Sequence, residues 1–94
     1  MTVPTLERTA QRALQHYGLD AQRLKAVEEL FELGQALMHW RDAKVPQEKV
    51  VEELADVLVV CESLRQYLGP EVVDVEVEWK RGRLQGRIEW EDAK

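Results

Sequence analysis

The chain has 94 residues, 45% hydrophobic and 33% charged, and a net charge of −5. That length provides for one small domain with a thin core, of the kind that helical chains often complete by oligomerising. The acidic balance argues against a nucleic-acid partner, which calls for a basic patch, and suits a site built from carboxylates and filled by a cation. The single cysteine, Cys61, rules out an intramolecular disulfide and reads as a small buried hydrophobe. There is no apolar signal region and no apolar run long enough for a bilayer, so no membrane partner and a cytoplasmic location are expected.

In chain order, Pro4-Thr5 precedes a first helical stretch over Leu6–Tyr17, which Gly18 stops. Asp20 is a candidate N-cap for a second helix over Ala21–Arg41. Its apolar positions Leu24, Val27, Leu30, Phe31, Leu37 and Met38 fit a helical stripe, with Glu28, Glu29 and Glu32 on the remaining face. Asp42 to Val45 form a short loop, and Pro46 suits the first turn of a third helix over Gln47–Leu68. After Leu54 that helix is apolar nearly all round, the pattern of a central bundle helix. Gly69-Pro70 ends it. From Val72 onward two readings stand: Val73, Val77, Leu84 and Ile88 fit a helix, while Val73, Val75, Val77 and Trp79 alternate like a strand, with Arg81-Gly82 as a hairpin turn. Gly82 and Gly86 weaken the helical reading.

Two acid clusters carry the chemistry. Glu28-Glu29-x-x-Glu32 and Glu52-Glu53-x-x-Asp56 space their acids so that each set shares one side of a helix. The bland reading of Glu28, Glu29 and Glu32 is a solvated face, with Lys25 offering Glu29 a surface ion pair. That reading suits Glu53 and Asp56 less well, because the helical wheel puts Glu53 among Val57, Val60 and Leu64 and Asp56 near Val60 and Tyr67. No Lys or Arg lies between Glu52 and Glu62 to pair with them locally. Antiparallel helices joined by a short loop bring both acid sets face to face, and converging carboxylates are tolerable around a cation. Other chemistries lack material. Neither His16 nor His39 stands three after a Glu, as a di-iron bundle requires. Ser63 is the only serine, and there is neither a Gly-rich phosphate loop nor Cys/His zinc spacing.

These residues resemble the all-α nucleoside triphosphate pyrophosphohydrolases, the group that includes MazG, the dimeric dUTPases and phosphoribosyl-ATP pyrophosphohydrolase. The chain is most similar to the short single-domain MazG-like proteins. Ala26-Val27-Glu28-Glu29-Leu30-Phe31-Glu32-Leu33 resembles their first signature, and Val51-Glu52-Glu53-Leu54-Ala55-Asp56-Val57 their second. Trp79-Lys80-Arg81-Gly82-Arg83-Leu84 resembles a late Lys-x-x-Arg-Leu stretch that is helical in those proteins.

The resemblance implies an all-α bundle of about four helices per chain, forming one domain over residues 1–94 and completed as a homodimer or tetramer. It implies hydrolysis of a nucleoside triphosphate to the monophosphate and pyrophosphate. Glu29, Glu32, Glu53 and Asp56 would hold Mg²⁺, with Mn²⁺ as a substitute. Glu28 would orient or deprotonate the attacking water, and Lys80 and Arg83 would meet the triphosphate, with Lys25 and Lys44 as weaker candidates. Two rivals remain. A phosphoribosyl-ATP enzyme is disfavoured because Val57-Leu58-Val59-Val60 stands where that group carries Tyr-His. The other rival is a non-catalytic helical interaction module with solvated acids.

Overall fold

The computed structural model describes residues 5–94, so Pro4 lies outside it. Four helices make up the described chain: α1 (Leu6–Tyr17), α2 (Leu19–Arg41), α3 (Gln47–Leu68) and α4 (Pro70–Asp92). There is no strand among the described residues. The fold is all-α.

Each boundary has a local cause. The Thr5 hydroxyl accepts the Arg8 N–H at 3.1 Å and caps α1. Gly18 stops α1 at φ 89°, a backbone angle that a side chain would resist. Gly18, not Asp20, also occupies the cap position of α2, which starts at Leu19. Asp20 sits inside the first turn, where it pairs with Arg23 at 3.1 Å. Pro46 lies just ahead of α3 with its ring φ at −76°. Gly69, at φ 105°, separates α3 from α4 without a loop.

The hairpin reading of the last segment does not hold. α4 runs unbroken through Arg81-Gly82. Gly82 and Gly86 cost helix propensity, but a Cβ at either would meet nothing within 4 Å.

α2 and α3 form an antiparallel pair, and α1 packs against both, mainly against α3. The inward seam of α2 runs Gln22, Ala26, Glu29, Leu33 and Ala36; that of α3 runs Val50, Glu53, Val57, Val60 and Leu64. Both step by alternate threes and fours, the spacing of two helices that interlock along their length. α1 adds buried Ala10 to this seam and is tied to α3 by the Gln11 amide donating to Gln66 Oε1 at 2.9 Å.

The seam is filled by small residues and acids. The expected apolar stripe of α2 points outward: Leu24 is 65% exposed, Phe31 77% and Met38 48%. α3 likewise turns Val51, Leu54, Leu58 and Val59 to the surface. Cys61 is half-buried.

α4 stands apart, touching only α3, and every residue after Val73 is exposed. Its root is held by Arg65, whose guanidinium grips Asp74 at 2.6 and 2.9 Å and donates to Glu62 at 2.8 Å. The radius of gyration is 16.6 Å, against about 12 Å for a compact chain of this length.

Candidate metal centre

The antiparallel pairing of α2 with α3 sets Glu29 beside Glu53 and Asp56. One carboxylate oxygen from each lies within 4.8 Å of the other two. Glu29 and Glu53 are buried at 5% and 7% exposure, because both belong to the inward seam; Asp56, one position off it, is exposed.

Each buried acid is half satisfied. The Lys25 ammonium lies 2.9 Å from Glu29 Oε1, and the Lys49 ammonium 2.9 Å from Glu53 Oε1, both from one helical turn earlier. Each ion pair raises its lysine's pKa, through the hydrogen bond to the carboxylate first. The second oxygens, Glu29 Oε2 and Glu53 Oε2, are buried without a hydrogen-bond partner. An unmatched buried acceptor costs about 1–3 kcal/mol, more when charged, so two of them in one acid cluster call for an explanation.

Glu32 lies one turn beyond Glu29 and is exposed. Local desolvation, then the charges of Glu29, Glu53 and Glu28, push its pKa up. The Glu53 contribution places Glu32 in the electrostatic field of both acid clusters. Glu28 points away from the seam, 59% exposed, with one long contact of 3.9 Å to Lys25.

The donor set fits a hard divalent cation. All its members are carboxylates, and two of these residues keep a buried oxygen without a hydrogen-bond partner. The three carboxylates are close enough for their side chains to converge on one such ion.

Lys80 and Arg83 are not at this cluster within one chain. They lie on the exposed length of α4, where Lys80 pairs with Glu76 at 3.7 Å. The basic group beside the acids that the sequence reading missed is Lys49. Its signal was present, since Lys-x-x-x-Glu recurs at Lys25–Glu29 and Lys49–Glu53.

Two cavities flank the acids. One, of about 200 Å³, opens between α1, α2 and α3 and is bordered by Glu29 and Asp56. The other, of about 320 Å³, lies toward the α2–α3 loop and is bordered by Glu32, His39, Lys49 and Glu53. No family model, curated protein or solved structure matches the chain.

Proposed function

We propose that this chain is a Mg²⁺-dependent nucleoside triphosphate pyrophosphohydrolase of the MazG-like kind, active as a homodimer or a larger homo-oligomer. The observation that carries the proposal is the pair of buried, unmatched carboxylate oxygens on Glu29 and Glu53, two acids that cluster with Asp56. Two such charges raise the energy of a fold unless a cation completes them.

Glu29, Glu53 and Asp56, joined by Glu32, would hold Mg²⁺, which when bound neutralises triphosphate charge and acts as a Lewis acid. Glu28 stands on the solvent side of the same helix turn. Its carboxylate is free to take the proton of a water adding to the α-phosphorus as the α–β anhydride breaks and pyrophosphate leaves. Lys25 and Lys49 already reach Glu29 and Glu53 from half-exposed positions and can turn toward phosphate once a cation takes over the acids.

Lys80 and Arg83 enter from a second copy on this reading. Residues 79–88 carry Lys80, Arg81, Arg83 and Arg87 with no acid among them, a charge opposite to that of the cluster. The same helix exposes Trp79, Leu84, Ile88 and Trp90, while α2 and α3 expose Leu24, Phe31, Leu54 and Leu58. Apolar surface on this scale marks an interface. It also supports the second reading, a non-catalytic helical module that binds through α4.

A panel of nucleoside triphosphates, assayed separately for pyrophosphate and orthophosphate, tests the proposal. Pyrophosphate release in Mg²⁺ or Mn²⁺ that stops in excess chelator is the expected result. Orthophosphate alone, or release that survives chelator, contradicts it. No turnover together with no Mg²⁺ binding favours the module.

A further inference from the structure

The cavity on the α1 side of the acids contains more than the metal reading uses. Gln22 and Ser63 line it, at 8% and 2% exposure. Neither side chain makes a hydrogen bond among the described residues. Neither polar end is sealed off either, since the fully enclosed unmatched side-chain atoms are Glu29 Oε2 and Glu53 Oε2 alone among the described residues. Both residues line the cavity. Buried amides and hydroxyls without partners are uncommon in folded proteins, and both of these residues border a space another molecule can enter.

The walls define the occupant. Ala10, Ala13, Val59 and Val60 are small and apolar, so the faces of a bound group would meet carbon. Gln22 offers two donors and an acceptor, and Ser63 one donor with acceptor capacity, so an edge carrying both kinds of group is matched at its rim. Lys25 is paired with Glu29, so the unpaired charge at the cavity is confined to the acids Glu29 and Asp56 at one border, and the rest of its lining is uncharged. The chemistry selected is flat, uncharged, apolar on its faces and hydrogen-bonding along an edge. The volume, about 200 Å³, suits one heterocycle. Glu29 and Asp56 form its border with the metal centre, so a phosphate chain attached to that ring would begin at the acids.

We infer that this cavity is the nucleobase seat and that Gln22 and Ser63 are its specificity-determining residues. The inference rests on the hydrolase reading above. The amide and hydroxyl would read the hydrogen-bonding edge of the ring, and α1, through Ala10 and Ala13, would close over one face of it.

The test is equilibrium binding of the four α,β-methylene nucleoside triphosphates, inorganic triphosphate and Mg²⁺ alone to the intact protein. It is run on wild type, Gln22→Met and Ser63→Ala, with thermal melts to show that each variant is folded. Wild type should rank the four bases. Each variant should lose about tenfold in affinity for the best of them, the scale of one hydrogen bond to a buried partner. Both should bind inorganic triphosphate and Mg²⁺ as wild type does. If the variants keep both the ranking and the affinities, the cavity is not the base seat, although the metal site stands. If wild type binds the analogues no better than inorganic triphosphate, no base is read and the inference is overturned. If wild type binds neither Mg²⁺ nor inorganic triphosphate, the hydrolase reading fails first and takes this one with it. The two variants guard each other: an unfolded Gln22→Met leaves Ser63→Ala to decide.

Discussion

Glu29 and Glu53 each give one oxygen to a lysine one turn back and keep the other buried and unmatched. A neutral amide in place of either carboxylate removes a charge from a tight acid cluster while still accepting a hydrogen bond from the lysine. Glu53→Gln should therefore raise the melting temperature of the metal-free protein and abolish the rise caused by Mg²⁺. Asp56→Asn should also abolish metal binding and turnover. Because Asp56 is exposed, it should shift the metal-free melt less than Glu53→Gln does. Paired melts with and without Mg²⁺ check both. Glu32 sets the pH dependence. Its folded pKa is raised above the ordinary 4.5 by desolvation and by its acidic neighbours. Its contribution to stability is therefore complete below 4.5 and is lost as pH rises through the folded value. Asp74 and Glu78, held down by Arg65 and Arg81, act in the opposite sense at lower pH, losing their contribution only as pH falls through their depressed values. Metal-free protein should thus melt higher at about pH 5 than at about pH 7, with a shallower slope in Glu32→Gln. A melt that is flat across that range in both proteins contradicts this account of the cluster.

At the scale of elements, the helix ends were legible in the sequence and the burial pattern was not. Gly18, Pro46 and Gly69 are backbone punctuation whose effect is local, so they end helices whatever the tertiary structure does. Burial depends on what lies opposite. The stripe of Leu24, Val27, Leu30, Phe31, Leu37 and Met38 is the most apolar pattern in α2, yet it faces out. The seam that faces in holds Gln22, Ala26, Glu29 and Ala36, which no hydrophobicity rule selects. Glu53 was legible because its own neighbours Val57 and Val60 are apolar. Gln22 and Ser63 were not, because their importance comes from cross-helix position, whereas the Lys49–Glu53 spacing within α3 was visible and went unused. α4 follows the same logic: Trp79, Gly82, Gly86 and Trp90 share one seam by helical spacing, and neither glycine meets anything within 4 Å in the single chain. Gly86→Ala adds helix propensity worth about 1 kcal/mol to an isolated α4. If a second copy approaches across that seam, the same change should weaken self-association while leaving helicity unchanged or higher. Sedimentation and circular dichroism, read together, separate the two effects.

The whole molecule is open for its length. A radius of gyration of 16.6 Å and a last helix exposed after Val73 leave apolar surface that a second copy would cover. A sedimentation experiment at micromolar concentration should give at least a dimer, and Trp79→Asp should shift it toward monomer with loss of turnover. An active monomer would remove α4 from the site. The central claim is that the acids across the α2–α3 seam form a cation site. Calorimetric titration of Mg²⁺ into the metal-free protein tests it most directly, with Asp56→Asn in parallel. The account predicts saturable binding to wild type that Asp56→Asn loses while remaining folded. No heat of binding to wild type, or equal binding by both proteins, would contradict it.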